Sequence, residues 1–304
     1  MKLATLNYQD GICLALIREG ISDSFAGWFP LTNVPGMPAD LVDMLSVIEH
    51  FDVVKPALQV FLNNAEGHDW RPLDPSLLGS PIPNPPRNII CLGWNYAEHA
   101  KESSAAKDIV IDKLPDHPIV FTKATTTVNG PYADVHYDEG VTRRLDWEVE
   151  LGVVIGKQGR HIPEAHALDY VFGYTVINDI SARDLQKRHQ QFFLGKSVDG
   201  TCPMGPWIVT ADEISDPQGL RLTCKVNNVI KQDGNTRQMI FSVENIISTL
   251  SKVMTLQAGD VIATGTPSGV GFARTPPEYL APGDVVECEI ESVGVIRNQI
   301  VIKA

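Results

Sequence analysis

Short runs of β-branched and aromatic residues follow one another from residue 88 onwards, and Gly, Pro, Asn or Asp separates most of them. Runs of this length with turn residues between them are typical of strands in a mainly β domain. We therefore predict an α+β chain that is mainly β and contains mixed strands. The runs are NIICLG, PIVFTK, EVELGVVIG, YVFGYTVIND, PWIVT, LRLTCKVN, DVIATG and DVVECEIESVGVIRNQIVI.

Helices are predicted at three places in the chain. Apolar residues recur at helical spacing within residues 39–51. Ser181 is a candidate N-cap for a helix in ISARDLQKRHQQFF. Ser242 is a second candidate N-cap, in SVENIISTLSKVM, where the apolar residues form one stripe.

A proline-rich stretch, RPLDPSLLGSPIPNPPRN, divides the chain. Proline lacks a backbone donor and disrupts helices and central strands alike, so this stretch is predicted to be an extended connector. We divide the chain into a small N-terminal α+β domain (residues 1–70), the connector (residues 71–87) and a main domain (residues 88–304).

The composition limits the partners of the protein. The formal net charge of −12 argues against nucleic acid or an anionic membrane, because both would be repelled. No segment approaches the ~18 apolar residues that span a bilayer, and the start lacks a secretory-signal pattern. The five cysteines form no CxxC pair, which predicts reduced thiols in a cytoplasmic protein. An anionic ligand would need a local positive centre, from a metal ion or a few Lys and Arg side chains.

Two glutamates, Glu148 and Glu150, interrupt the apolar run LDWEVELGVVIG. Side chains two residues apart lie on the same face of a strand, and two like charges this close repel each other, more strongly when buried. Either the strand lies at an edge with both acids in water, or a cation lies between them.

Asp179 ends another β-branched run, in YTVINDISARDLQ, where a strand would give way to a helix. An aspartate at this position could cap the helix. Together with Glu148 and Glu150, it could instead complete a set of three oxygen ligands of the kind that Mg²⁺ and Mn²⁺ prefer.

His99 and Glu102, in CLGWNYAEHAKES, are three residues apart. On one helical turn the carboxylate can orient the imidazole and raise its basicity, as general-base activation of water requires. A surface pair without a function is the alternative. The small and polar residues that follow, within residues 103–117, are typical of a mobile lid.

Two further segments carry candidate groups. Lys196, in GKSVDGTCPMGP, is either a cation of the site or a surface lysine. The segment ATGTPSGVG is either an anion-binding turn, built from backbone amides, or an ordinary glycine-rich turn.

Taken in order, five segments resemble the fumarylacetoacetate hydrolase family over about residues 88–304. They are GWNYAEH, LDWEVELGVVIG, YTVINDISARDLQ, GKSVDGTCPMGP and ATGTPSGVG. The resemblance implies a mixed β-roll catalytic domain, a homodimer, and Mg²⁺ or Mn²⁺ held by Glu148, Glu150 and Asp179. The large fumarylacetoacetate hydrolase has a further aspartate where Leu92 stands here. This difference indicates the smaller bacterial type with an extra N-terminal domain and counts against fumarylacetoacetate as the substrate.

The resemblance also implies roles for individual residues. His99, held by Glu102, would be the general base, and Lys196 would help to stabilise an oxyanion together with Gln186. Thr266 would grip the substrate carboxylate. The residues implied to bind substrate are Gln186, Thr266, Lys123 and Gly265.

The implied activity is metal-dependent hydrolysis of a carbon–carbon bond in 2,4-dioxo acids such as acylpyruvates, through a metal-bound enolate. The alternative is an isomerase or decarboxylase of 2-hydroxydiene or 2-oxo dicarboxylic acids in aromatic catabolism, of the 2-hydroxyhepta-2,4-diene-1,7-dioate isomerase type. A catalytically silent, ligand-binding relative is the non-enzymatic alternative. In each case the predicted partner is a small 2-oxo acid.

Overall fold

The computed structural model describes residues 1–22, 25–106 and 113–303. The described residues form eighteen strands and six α-helices. The strands are β1 (Lys2–Tyr8), β2 (Gly11–Ser22), β3 (Phe25–Pro30), β4 (Arg71–Pro72), β5 (Ile89–Gly93), β6 (Ile119–Lys123), β7 (Val128–Asn129), β8 (Val135–Tyr137), β9 (Leu145–Asp146), β10 (Val149–Ile155), β11 (Val171–Asn178), β12 (Ser181–Ala182), β13 (Cys202–Thr210), β14 (Arg221–Val226), β15 (Val229–Asn235), β16 (Val261–Ala263), β17 (Val285–Ile290) and β18 (Gly294–Ile302). The helices are α1 (Met44–Glu49), α2 (Phe51–Asn63), α3 (Ala97–Ala105), α4 (Arg183–Arg188), α5 (Phe193–Lys196) and α6 (Val243–Val253).

A large mixed sheet forms the centre of the molecule. Its strands follow the order β4-β3-β2-β1-β13-β11-β10-β16-β5-β6, and β7 joins it beside β13. Every residue of β10, β11 and β13 is buried. β10 pairs antiparallel with β11 and β16, whereas β16 pairs with β5 in parallel. The prediction of a mainly β fold with mixed strands is confirmed.

A second sheet, in the order β15-β14-β17-β18-β8, covers one face of the large sheet. Val149 and Leu151 of β10 share an apolar cluster with Leu222 of β14, whereas Val154 belongs to the cluster that contains α1 and α2. Because strand side chains alternate between faces, Glu150 lies on the face of β10 opposite to Val149 and Leu151. The alternation read from the sequence therefore places Glu150 away from the second sheet.

The N-terminal residues are hydrogen-bonded into the large sheet. β1 pairs antiparallel with β13, with Leu3 opposite Ile208. The helix predicted within residues 39–51 is shorter in the structure. α1 begins after the Asp43 cap and ends at Glu49, and α2 begins at Phe51. β4, in the proline-rich stretch, pairs with β3 at the sheet edge, where proline is tolerated. The division at residues 70 and 87 stays a prediction.

The two predicted serine caps differ in outcome. Ser242 caps α6, since its side chain accepts a hydrogen bond from the backbone N–H of Asn245. The prediction for Ser181 is wrong, because Ser181 lies in β12 and its hydroxyl donates to the carbonyl oxygen of Asp179 at 3.1 Å. The helix begins only at Arg183, and its N-terminus lacks a side-chain cap.

Four sequence-based expectations concern membrane spans, cysteine thiols, cellular location and oligomeric state. No helix within the described ranges is long and apolar enough to cross a membrane. All five cysteines carry free thiols, and four of them are buried. The cytoplasmic location and the homodimer stay predictions.

Residues 107–112 of the predicted lid lie outside the described residues.

Candidate metal centre and active site

Three carboxylates meet at neighbouring strand ends. Glu148 directly precedes β10, Glu150 lies within it, and Asp179 directly follows β11. The backbone N–H of Asp179 donates to the carbonyl oxygen of Glu148 at 2.9 Å, which joins the two strands at this point. One oxygen from each carboxylate lies within 4.8 Å of the others, and all three side chains are buried. The alternative that Glu148 and Glu150 lie in water at a sheet edge is therefore wrong. The alternative that Asp179 caps the next helix is also wrong, because the residue before α4 is Ala182 and no side chain caps this helix.

Three cations surround these carboxylates. Nζ of Lys196 lies 2.5 Å from Oε2 of Glu148 and 2.6 Å from Oδ2 of Asp179. Nζ of Lys123 lies 2.8 Å from Oδ1 of Asp179 and donates to the carbonyl oxygen of Ile180 at 3.0 Å. Arg183, at the start of α4, donates from Nη2 to Oε1 of Glu148 at 2.5 Å. Both predicted lysines are thus buried in the site.

The cations act unequally on the two glutamates. Burial alone would raise the pKa of Glu148, but Arg183 and Lys196 hold it well below its usual value. The pKa of Glu150 is raised well above its usual value, first by burial and then by the charges of Asp179 and Glu148. Among the described residues Glu150 forms no ion pair, and its Oε2 accepts the backbone N–H of Gly265 at 2.8 Å.

These features are those of a site for a hard divalent cation. Such cations bind carboxylate oxygens, and the three donor groups are buried and close enough to share one ion. Among the three acids, Glu150 is the one that pairs with no lysine or arginine side chain of the described residues. The residues therefore fit Mg²⁺ or Mn²⁺.

His99 and Glu102 form a hydrogen-bonded pair on α3. Nδ1–H of His99 donates to Oε1 of Glu102 at 2.9 Å, so the lone pair of the neutral ring lies on Nε2. Both oxygens of Glu102 also accept the backbone N–H of Gly269, at 3.0 and 2.9 Å. His99 is only 6% exposed. The imidazole is therefore fixed by groups on its own helix and on the glycine-rich segment.

Gly265 and Thr266 contact β10 from the loop that follows β16. The N–H of Gly265 bonds to Glu150, and the hydroxyl of Thr266 donates to the carbonyl oxygen of Val149 at 2.9 Å. Their predicted contacts with substrate stay predictions, and in this structure both donors are occupied by hydrogen bonds to residues of β10.

Four of the six catalytic and metal-binding candidates line one small, polar cavity of about 30 Å³, namely His99, Lys196, Glu148 and Glu150. Its lining does not include Glu102 or Asp179. Gln186 is part of its wall, and Oε1 of Gln186 accepts from Nη1 of Arg183 at 3.1 Å. Leu92 also lines it. The lining residues are Leu92, Gly93, Trp94, His99, Ser103, Phe121, Glu148, Glu150, Arg183, Gln186, Phe192, Lys196, Thr266 and Phe272.

Sequence reasoning missed Asp146 and Arg183. Asp146 is fully buried, accepts Nε–H of Arg183 at 2.8 Å and accepts the N–H of Gly271 at 2.6 Å. Its pKa is raised, chiefly by burial. A signal existed, since Asp146, Glu148 and Glu150 alternate along one run. The need for positive charge near three acids could also have directed attention to Arg183, four residues after Asp179.

Comparisons with known proteins agree with this site. The family described as fumarylacetoacetate (FAA) hydrolase C-terminal matches residues 88–301. The chain is 44% identical over 305 residues to oxaloacetate tautomerase YisK of Bacillus subtilis (strain 168), and the match covers 99% of this chain and 100% of that relative.

Two solved structures cover 100% of this chain and of their own chains. One is fumarylacetoacetate hydrolase (EaFAH) from psychrophilic Exiguobacterium antarcticum, with a TM-score of 0.81 and 36% identity. The other is maleylpyruvate hydrolase from Sphingobium sp. SYK-6 in complex with manganese (II) ion and pyruvate, with a TM-score of 0.77 and 30% identity.

The class of protein follows from these matches: the fold and site are those of an enzyme family with tautomerase and hydrolase members. The chain belongs to the fumarylacetoacetate hydrolase family. This confirms the resemblance found in the five sequence segments.

Proposed function

We propose that the protein is a divalent-metal-dependent enzyme that transfers a proton at the carbon next to the keto group of a short 2-oxo acid. Keto–enol tautomerisation of oxaloacetate is the first candidate reaction. The observation that carries the proposal is that one cavity is lined by both the His99 base and two of the three clustered carboxylates. The name of the Bacillus subtilis relative supports this choice of reaction.

Glu148, Glu150 and Asp179 would hold the cation. Mg²⁺ or Mn²⁺ in this position would orient the carboxylate and keto oxygens of a 2-oxo acid and act as a Lewis acid. The site contains four buried acids, which are the three clustered carboxylates and Asp146, and three cations, which are Lys123, Arg183 and Lys196. Its formal charge without a metal ion is therefore −1. A divalent cation reverses this sign, which makes the site attractive to an anion despite the net charge of −12.

His99 would move the proton. With Nδ1–H donated to Glu102, Nε2 can take a proton from the substrate carbon and deliver it to the keto oxygen, which becomes the enol hydroxyl; the reverse reaction follows the same path, and Glu102 stabilises the imidazolium in between. Lys196 stays protonated at neutral pH: burial alone would lower its pKa, but Asp179 and Glu148 raise it well above the usual value. Its ammonium group can therefore stabilise negative charge that develops on the substrate.

Hydrolysis of a carbon–carbon bond in acylpyruvate-like 2,4-dioxo acids is the second candidate function. The same Nε2 could take a proton from water instead of carbon, and the related maleylpyruvate hydrolase structure contains manganese and pyruvate. Isomerisation or decarboxylation of 2-hydroxydiene or 2-oxo dicarboxylic acids would use the same groups. A silent binding protein would have no need of the buried His99–Glu102 pair.

The test is an assay of several 2-oxo acids with Mg²⁺ or Mn²⁺. We expect faster decay of the ultraviolet absorbance of enol-oxaloacetate than with the metal alone, and loss of this acceleration in excess chelator. Mass spectrometry of the products separates tautomerisation, which keeps the mass, from formation of pyruvate and an acid or release of carbon dioxide. Rates equal to the metal-only control for every acid would rule out the proposed enzyme.

Replacing Gly269 with alanine should reduce both this activity and stability. Gly269 has a φ of +104°, and a Cβ there would lie 2.1 Å from the carbonyl oxygen of Lys231. The loop must shift, and its hydrogen bonds to Glu102 would be lost, so we expect turnover to fall about tenfold or more.

Gly283→Ala is the matched control for backbone conformation. Gly283 has a φ of +97°, but its Cβ would meet nothing within 4 Å. We expect this variant to lose ~1–2 kcal/mol of unfolding free energy while its turnover is kept. Thermal unfolding and kinetics measure the two effects, and equal turnover in Gly269→Ala and Gly283→Ala would contradict a role for Gly269 in holding Glu102.

A further inference from the structure

Gln232, on β15 of the second sheet, is buried where the sequence pattern would not predict a polar side chain. It is 1% exposed, whereas Val229 and Ile230 of the same strand are 56% and 52% exposed. A buried amide is costly unless its polar atoms are hydrogen-bonded. The position of Gln232 therefore raises the question of which groups it serves.

Gln232 bonds to the metal-binding strand and to the glycine-rich loop. Its Oε1 accepts the backbone N–H of Val149 at 3.0 Å. Its Nε2 donates to Oγ1 of Thr266 at 2.7 Å and to the carbonyl oxygen of Pro267 at 2.8 Å. Because Thr266 donates in turn to the carbonyl oxygen of Val149, the three residues form a closed ring of hydrogen bonds.

This ring replaces a missing strand partner. β16 pairs only with Gly152, Val153 and Val154 of β10, so the ladder on that side ends before Val149. Without Gln232 and Thr266, the N–H and C=O groups of Val149 would lack these partners in a buried position. Val149 lies between Glu148 and Glu150, so its orientation sets the directions of both carboxylates.

We propose that Gln232 is a positioning residue of the metal centre. It holds the backbone of Val149, which lies between Glu148 and Glu150, so that both carboxylates face one cation. This inference rests on the proposed metal-dependent function and adds a residue from the second sheet to it. Partners that orient metal ligands without touching the metal contribute to its affinity, and their loss weakens binding by about 10–100-fold.

Close packing between β15 and the loop supports this role. A Cβ on Gly234 would lie 2.5 Å from Cβ of Pro267, and one on Gly269 would meet the carbonyl oxygen of Lys231. The strand and the loop are thus closely packed on both sides of Gln232, through the ring of Pro267 on one side and the backbone of Lys231 on the other. The same contact connects β15 to Gly269, which bonds to Glu102.

The test is the Mn²⁺ affinity of metal-free Gln232→Met, measured by isothermal titration calorimetry. Methionine keeps the shape of the side chain but removes its three hydrogen bonds, so we expect affinity to fall about tenfold or more. Asn298→Leu is the matched control. Asn298, on β18 of the same sheet as Gln232, is another amide that is 1% exposed, and it donates to the carbonyl oxygens of Gly130 and Ala133 in the loop between β7 and β8. Its loss should lower the melting temperature and leave Mn²⁺ affinity unchanged.

Thr266 provides a second route to the same question if Gln232→Met does not fold. Thr266→Val removes the hydroxyl from the ring and should weaken Mn²⁺ binding, whereas Thr266→Ser keeps the hydroxyl and should restore it. The double variant of Gln232→Met and Thr266→Val should lose less Mn²⁺-binding free energy than the sum of the losses in the two single variants, because both changes break the same ring of hydrogen bonds.

The outcomes separate the two proposals. If the wild-type protein binds no Mn²⁺, the proposed metal-dependent function is wrong and this inference falls with it. If the wild-type protein binds Mn²⁺ and Gln232→Met or Thr266→Val binds it equally well, only the role of Gln232 is overturned. An equal loss of affinity in Asn298→Leu would also overturn it, since the effect would then follow from lower stability alone.

Discussion

Glu150→Gln should bind Mg²⁺ and Mn²⁺ about 100-fold more weakly than the wild-type protein, or not at all, while remaining folded. The change removes an anionic ligand from the three-carboxylate cluster, and even changes to partners outside the ligand set cost 10–100-fold. Glutamine can still accept the N–H of Gly265, so the local backbone should be kept. Calorimetric titration of the metal-free protein measures the loss, and unchanged affinity would show that the site is assigned wrongly.

The same variant should gain stability without metal. The pKa of Glu150 in the folded protein is raised well above 4.5, first by burial and then by Asp179 and Glu148. Because the folded state favours the protonated acid, stability falls as pH rises from about 4.5 towards the raised pKa. Glutamine cannot ionise, so the melting temperature of metal-free Glu150→Gln should exceed that of the wild type by a margin that widens above pH 4.5.

Glu289→Gln is the control for both measurements. Glu289 lies on β17, and its side chain is 49% exposed, unlike the buried carboxylates of the cluster. It should change neither the metal affinity nor the dependence of the melting temperature on pH.

His99→Ala should reduce turnover by about 100-fold or more and leave metal binding intact. General-base catalysis by a positioned histidine contributes ~10²–10⁴-fold, and His99 is not a member of the carboxylate cluster. Steady-state kinetics on the best substrate of the 2-oxo acid assay, with Mn²⁺ affinity measured in parallel, distinguishes loss of the base from loss of the metal.

The chain offers a matched control for the histidine pair. His166 and Asp169 have the same spacing as His99 and Glu102 and lie 3.3 Å apart, but both are largely exposed. His166→Ala should retain full turnover. Full turnover in His99→Ala as well would leave the buried pair without a catalytic role.

These two pairs show what a sequence can and cannot predict. Spacing on a helix was sufficient to predict that His99 and Glu102 meet, and the same rule applies to His166 and Asp169. What distinguishes the pairs is burial, and Glu102 is held by Gly269, which is 167 residues away in the chain. Local patterns do not contain contacts at that separation.

The carboxylates were predictable for a related reason. Alternation along one strand put Glu148 and Glu150 on one face. Asp179, at the end of the next β-branched run considered, offered a third carboxylate, and the family resemblance implied the same three ligands. The same alternation includes Asp146, but its contact with Arg183 could not be predicted in this way, because it depends on strand pairing between β9 and β12. Gln232 reaches Val149 from another sheet, and its strand gives a misleading pattern, with aliphatic residues exposed and an amide buried.

The pairing of β1 with β13 determines which strand edges of the large sheet are open to another chain. The edge of a strand presents unpaired backbone groups that can recruit another chain. β1 occupies this edge of β13 at Ile208 and Val209, and the N-terminal helices cover the apolar face beside it. The N-terminal strands therefore fill an edge of β13 that would otherwise present unpaired backbone groups, and the sheet ends on that side at β4, a two-residue strand that contains a proline.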